Sequence, residues 1–204
     1  MAAGDTDVSI CSNALLLLGA EQISSFADGT VGAGVAKTIY PRVKELTQGM
    51  YPWSFTYKKS QLARLTEQPT SVYTYAFQLP TDMLNGVPRR VFTSNNIGAS
   101  TITTFEIQGD ELLTDETTIF VDYQQDTDES KMPSYFVQLL VYQMAWHLAE
   151  PITDQTQKSE YWRGIAMGSP SENMRGGYFR TAMNIDAAGQ SPTIIADYLL
   201  TEVR

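Results

Sequence analysis

The chain has 204 residues with 23 acidic and 14 basic side chains, a net charge of −9, and an ordinary hydrophobic share of 43%. That length supports one good core, or two small modules sharing a boundary. Tight binding of double-stranded nucleic acid needs clustered Lys and Arg, and Lys58-Lys59 and Arg89-Arg90 are the only short basic clusters, so a DNA-gripping role is disfavoured, whereas an acidic wall past which DNA slides fits the charge.

The opening "MAAGDTDVSI" lacks the basic region of a signal peptide. Asp5 or Thr6 is placed to cap a first helix with the apolar stripe Val8, Cys11, Ala14, Leu15 and Leu18, and Gly19 is its expected stop. Cys11 is the single cysteine, so an intrachain disulfide is ruled out and a reducing compartment fits; its apolar neighbours predict a buried packing role. The longest apolar run, "NALLLLGA", falls far short of the roughly 20 residues a membrane span needs, so a soluble chain without membrane contact is expected. "AEQISSFADGTVGAG" reads as a loop with two turn signals. A second helix then carries Val35, Ala36, Ile39, Tyr40, Val43, Leu46 and Met50. Pro41 lies inside it and cannot donate to the Lys37 carbonyl, which predicts a kink or a break.

The pattern changes at Pro52. Trp53, Phe55 and Tyr57 alternate with polar residues, which is strand spacing, and the two large aromatics are expected to pack the seam between a helical layer and a β layer. Further strands are expected in "SVYTYAFQL", which ends at Pro80, and in "RRVFTSN". "TTFEIQGDELLTDETTIFVDYQ" holds candidates over Phe105–Ile107, Glu111–Leu113 and Thr118–Tyr123, with turns at Gly109-Asp110 and at Thr114–Glu116. Many short strands with frequent turns point to a small antiparallel sheet or barrel.

Helical spacing returns after Lys131, with Pro133 suited to a first turn and an apolar stripe of Phe136, Leu139, Leu140, Gln143, Met144, His147 and Leu148. "PITDQ" is expected to break that helix, with Thr153 or Asp154 capping another that carries Tyr161, Trp162 and Ile165 and is weakened by Gly164, Gly168 and Pro170. The expected fold is therefore α+β: a helical bundle built from residues 5–52 and 131–184, an inserted antiparallel β module over 53–130, and an extended C-terminal arm over 185–204.

The sequence is poor in the residues of catalysis. His147 is the only histidine, and its place on an apolar stripe favours a hydrogen-bonded core or interface role over a triad base. "DGTVGAGVAK" only imitates a phosphate-binding glycine loop, lacking the second half of that motif. Asp110 and Asp115 carry one alternative, a glycan-binding or glycan-hydrolysing activity. A hairpin that set them about 5–10 Å apart would have the two carboxylates of a glycosidase, with nearby tyrosines to stack a sugar. The plainer reading is of solvated turn acids, since no element in the sequence would raise the pKa of one of the pair. No cofactor or metal site is expected.

The chain closes with "GQSPTIIADYLLTEVR", in which Ile194, Ile195, Tyr198, Leu199 and Leu200 form a compact apolar patch near a terminus. Such a segment packs on its own domain or docks on a neighbouring subunit or partner, for instance by adding a strand to a sheet edge.

Taken in order, "ICSNALLLLGAEQISSFADGT", "AKTIYPRVKELTQGMYPWSFTYKKSQLARL", "YTYAFQLPTDML", "FEIQGDELLTDETTIFVDYQ" and "FVQLLVYQMAWHLAEPIT" resemble the head-to-tail adaptor proteins of tailed bacteriophages, the tail tubular protein A group. The likeness covers roughly residues 8–162; after Gly164 the glycines and Ser169-Pro170 depart from the long last helix of that pattern. The resemblance implies a non-enzymatic virion protein, made in the host cytoplasm, that forms a ring, commonly of twelve copies, at the head-tail junction. The ring would join the portal protein to the tail nozzle protein and leave a channel through which DNA passes without specific binding. It also implies that the C-terminal region meets the portal, which assigns portal or neighbouring-subunit contact to Ile194, Ile195, Tyr198, Leu199 and Leu200. For Pro52, Trp53, Tyr75, Phe77 and Pro80 it implies a role in holding the fold.

Overall fold

The computed structural model describes residues 5–96 and 99–189. Among the described residues, five α-helices and seven strands alternate in blocks: α1 (Asp7–Leu18) and α2 (Val31–Gly49), then β1 (Tyr57–Gln61), β2 (Ala63–Arg64), β3 (Tyr75–Gln78), β4 (Arg90–Phe92), β5 (Glu106–Gln108), β6 (Glu111–Thr114) and β7 (Phe120–Gln124), then α3 (Ser134–Thr153), α4 (Thr156–Met167) and α5 (Gly177–Ala188). The fold class is α+β.

Helix α1 starts where its capping chemistry places it. Thr6 Oγ1 accepts from the Ser9 amide at 3.1 Å and Ser9 Oγ accepts from the Thr6 amide at 2.8 Å, which satisfies two amides at the helix start. Gly19, at φ 75°, closes it. Ile10, Cys11, Ala14, Leu15 and Leu18 are buried and form its inner face. The expected loop before α2 is shorter than its glycines indicate, because Thr30 Oγ1 caps the Ala33 amide and "VGAG" becomes the first helical turn. Helix α2 continues unbroken through Pro41. Its buried face is Ala36, Tyr40, Val43 and Thr47, while Leu46 and Met50, expected on that face, are exposed.

The alternation over Trp53–Tyr57 is not a strand. Ser54–Thr56 form a single 3-10 turn and the strand starts only at Tyr57. Trp53 is fully buried in the helical core, edge-on to Phe136 at 5.2 Å and Phe179 at 5.8 Å between ring centroids. Phe55 packs edge-on to Phe136 at 4.9 Å. Two of the three aromatics behind the period-2 signal, Trp53 and Phe55, are thus directed at the helical core, a tertiary demand that outweighs local spacing, and only Tyr57 belongs to a strand.

All strand pairs are antiparallel and fall in two small sheets, ordered β1-β7-β4 and β2-β3-β6-β5. Only Leu62 separates β1 from β2, so the sheets share a corner, and an isolated bridge between Phe92 and Thr101 lies across the other side. Leu62, Phe77, Leu79, Leu112, Val121 and Tyr123 belong to the second core, between the sheets. Gly109, at φ 63°, sits first in the two-residue turn between Gln108 and Glu111, a position of a two-residue hairpin suited to glycine. Thr114–Glu116, expected as a second hairpin turn, instead carries the chain from one sheet to the other, since β6 and β7 are not paired. The strand expected over Ser71–Leu79 shrinks to Tyr75–Gln78; Val72 is 90% exposed, and Thr74 leaves the ladder to bond Asp115.

Pro133 is the N-cap of α3 rather than part of its first turn. The helix passes through Pro151 and ends at Thr153, with Asp154 as a left-handed C-cap at φ 52° whose amide donates to Glu150 at 3.0 Å. A proline so close to the end costs one intrahelical bond, from residue 151 to His147, so "PITDQ" ends the helix later than its proline indicates. Gln155, not Thr153 or Asp154, is the N-cap of α4. Helix α5, which the sequence reading did not resolve, runs to Ala188, so residues 185–188 of the expected arm are helical. A three-glycine joint lets α5 fold back: a Cβ on Gly177, at φ 53°, would lie 2.6 Å from the Ile165 carbonyl oxygen.

Candidate functional site

Ile194, Ile195, Tyr198, Leu199 and Leu200 lie outside the described residues. The described chain ends on α5, and the base of that helix is tied to the molecule by a buried carboxylate that the sequence reading missed. Asp186 is 3% exposed. Its Oδ1 accepts from Ser54 Oγ at 2.6 Å and from the Tyr135 hydroxyl at 2.5 Å, and its Oδ2 accepts from the Ser54 amide at 3.0 Å. Burial first, and the Asp186 hydrogen bond and charge second, push the Tyr135 hydroxyl well above the ordinary tyrosine pKa. One carboxylate thus fastens α5 to the start of α3 and to the 3-10 turn after Trp53. The available signal was its place three and four residues beyond Met183 and Ala182 and seven beyond Phe179, on the helix face that is buried.

The helical and β layers meet through buried amides. The Gln48 side chain donates to the Thr127 carbonyl at 3.1 Å and accepts from the Thr127 amide at 3.2 Å. Gln124 Nε2 donates to the Tyr51 carbonyl at 2.9 Å and to Thr56 Oγ1 at 3.1 Å. Because these groups leave water in pairs, the joint keeps its hydrogen bonds while fixing one register between α2 and the end of β7.

Beside this joint opens a cleft of about 610 Å³ lined by Asp7, Lys44, Glu45, Asp82, Asp126 and Glu129, among others. Lys44 Nζ reaches Glu129 at 3.2 Å and Asp126 at 3.3 Å, and the Tyr40 hydroxyl donates to Glu129 at 2.9 Å. Burial opposes ionisation of Glu129, but backbone, Tyr40 and Lys44 contacts outweigh it and hold the carboxyl below its ordinary range. Asp82 follows the same logic, its burial overcome by hydrogen bonds from Lys58 and Tyr123. Among the described residues, no group of three or more His, Cys, Asp and Glu is arranged to hold a metal ion, and no helix is long and apolar enough to cross a membrane.

Asp110 and Asp115 are not brought together. They flank β6 at its two ends, five residues apart along an extended strand, a span of about 16 Å. Asp110 accepts from Gln78 Nε2 at 2.8 Å, and Asp115 accepts from the Thr74 amide at 2.9 Å and from its hydroxyl at 2.7 Å. Each closes the loop next to it. No hairpin opposes them, because residues 115–119 cross from the sheet of β6 to that of β7. His147 is half-buried and stacks on Trp146 with ring centroids 4.3 Å apart, and burial lowers its pKa.

Cys11 is fully buried in the helical core, and burial, with smaller contributions from Asp7 and Glu129, pushes its thiol up to about 12 from an ordinary 9.0. Above pH 9 the unfolded chain releases this proton and the native chain keeps it, so the stability it confers is complete below pH 9 and is lost as pH rises towards 12. Tyr40 and Tyr135, both raised, steepen the loss above pH 10. Urea unfolding between pH 8 and 11 is expected to show a midpoint that falls steadily from about pH 9, with the early part of that fall absent in Cys11→Ala. A flat profile in the native chain would refute this account.

No family model matches the chain, and no curated protein matches it.

Proposed function

We propose that this chain is a ring-forming head-to-tail adaptor of a tailed bacteriophage: a virion structural protein, not an enzyme, that joins the portal to the tail nozzle and lines the DNA channel. The observation that carries the reading is the ordered set of five sequence stretches resembling the tail tubular protein A group. Those stretches supply most of α1, α2 and α3, the Tyr51-Pro52-Trp53 turn, β1 to β3 and β5 to β7, which is most of the framework of both layers.

Two features of the molecule support it. Among the described residues, seven of the nine exposed large hydrophobic side chains belong to the helical layer: Leu16, Leu17, Val31, Leu46, Tyr161, Ile185, and Met50 at the cap of α2. A layer that leaves apolar residues uncovered on four helices is suited to packing against further copies. The layers are also joined by buried hydrogen bonds, so a load on one is passed to the other. The bundle arrangement of the helices, the arm that follows α5 and its contact with the portal through Ile194, Ile195, Tyr198, Leu199 and Leu200 belong to the same proposal. So do a copy number of twelve, a location at the head-tail junction and passage of DNA without specific binding. The separation of Asp110 from Asp115 leaves the glycan-cleaving alternative without geometric support.

The test is mass photometry of portal rings from the same phage, mixed with the full-length chain or with a version ending at Ala188. Portal rings are expected to gain mass in discrete subunit steps with the full-length chain and to gain none with the shortened one. Gain with both versions would place the contact on the helical layer and remove the arm. No gain with either would sink the adaptor reading.

A further inference from the structure

Charge is sharply segregated within the β layer. Residues 57–92 hold five basic side chains (Lys58, Lys59, Arg64, Arg89 and Arg90) against two acidic ones, whereas residues 93–130 hold nine acidic side chains and no Lys or Arg. Topology sets the acidic β5–β6 hairpin apart from the basic strands β1 and β4, between which β7 carries the single acid Asp122, paired with Lys59. The basic residues sit on β1, β2 and β4 or beside them, while Glu106 and Glu111 lie on the β5–β6 hairpin with Asp115 and Glu116 just beyond it. β5 is the edge of the four-stranded sheet opposite to β2.

Lys58 and Lys59 are neutralised from within, by Asp82 at 2.7 Å and by Asp122 at 3.5 Å, but the arginines and the acids of the hairpin are not. Among the described residues, Arg64, Arg89 and Arg90 take part in no ion pair, and neither do Glu106, Asp110, Glu111, Asp115 and Glu116. Asp110 and Asp115 are bonded to the neutral side chains of Gln78 and Thr74, which leaves their charge in place. Two of the three arginines and Lys59 are held in position over aromatic rings: Arg64 lies 4.5 Å from the Tyr75 ring centroid, Arg89 4.9 Å from Tyr57 and Lys59 4.3 Å from Phe92. Arginines fixed in this way lose less freedom on meeting a carboxylate.

We infer that copies of this chain associate head to tail through the β layer, with the basic strands of one copy facing the acidic β5–β6 hairpin of the next. The choice of a second copy as partner rests on the ring proposed above. It is favoured by the complementarity itself, since every copy carries both signs on different strands, as a heterologous closing contact requires. Duplex DNA is the poorer occupant, because the same small layer carries the acidic segment and the chain as a whole is at −9. Edge pairing of backbones is disfavoured by the exposed charge of Glu106 on β5, so the contact is one of side chains. Exposed ion pairs are individually weak, and repetition around a ring gives the contact its strength and its sensitivity to salt.

Sedimentation velocity of the full chain at about 0.02 M and about 0.5 M salt tests this, where screening lengths differ severalfold. Self-association is expected at low salt and should weaken at least tenfold at high salt. A basic-face variant (Arg64→Glu, Arg89→Glu, Arg90→Glu) and a hairpin variant (Glu106→Lys, Glu111→Lys, Glu116→Lys) should each stay monomeric, and an equimolar mixture of the two should associate again. Circular dichroism checks that each folds; if a reversal does not, the matching Gln variants, expected to weaken association, replace it. A wild-type chain that stays monomeric at low salt, reversed chains that associate as wild type does, or a mixture that stays monomeric would each overturn the inference. So would low-salt binding of labelled duplex DNA, abolished by the basic-face reversal, in a chain that does not self-associate. Portal rings that gain mass from a chain monomeric alone would leave the adaptor reading standing and remove this one; self-association without portal binding would do the reverse.

Discussion

Trp53→Ala is expected to lower the free energy of unfolding by about 3–5 kcal/mol, the largest stability effect of any substitution considered for this protein. Trp53 is fully buried, its Nε1–H donates to the Thr47 carbonyl at 3.1 Å, and its ring meets Tyr51, Phe136 and Phe179 edge-on. Alanine would open a cavity where α2 hands over to the β layer and where α3 and α5 converge. It would also leave the last turn of α2 without one hydrogen-bond partner. Trp53→Phe keeps most of the volume and loses the donor, so its cost should be smaller, about 1–2 kcal/mol. Equilibrium urea denaturation of the three chains checks the order. A loss under about 1 kcal/mol for the alanine variant would mean that the junction is not a structural centre of the molecule.

Asp186→Ala is the second large effect, about 3 kcal/mol, and it acts through donors rather than volume. Removing the carboxylate strands the Ser54 amide, the Ser54 hydroxyl and the Tyr135 hydroxyl in a part-buried site. Tyr135→Phe deletes only one of these bonds and should cost about 1 kcal/mol. In a double-mutant cycle the two changes should fall short of additivity, because the tyrosine bond is already lost with Asp186. Hydrogen exchange adds a local readout: amides of α5 should lose protection in Asp186→Ala before those of α3 do. Equal loss in both helices would show that the residue supports the whole core and does not fasten α5 in particular.

The parts of the fold legible in the sequence share one property: their signal is local. Thr6 and Gly19 bound α1 because capping and left-handed geometry depend on a few neighbouring residues. The stripe from Phe136 to Leu148 identifies α3 because a long, strongly apolar helix keeps its period over several turns. Gly109-Asp110 marks a hairpin for the same reason. Where the reading failed, a distant partner had decided the outcome. Leu46 and Met50 continue the apolar period of α2, yet they are exposed, because Thr47 and Gln48 face the interior and Gln48 bonds Thr127. Asp110 and Asp115 lie close in sequence and far apart in space, because β6 pairs with β3 and β5 while β7 pairs with β1 and β4.

By itself the sequence determined the α+β class, the block order of helices, strands and helices, the burial of Cys11 and the main face of α3. These follow from hydrophobic period, capping chemistry and composition, all of which act over a few residues. Only the tertiary structure decided that Trp53 and Phe55 serve the helical core, that Asp186 is a buried fastening for α5, and that, among the described residues, Arg64, Arg89 and Arg90 are left without an ion pair, as are the acids of the β5–β6 hairpin. Each of these depends on residues brought together across tens of positions in the chain, and pairing over such distances is set by the packing of whole elements.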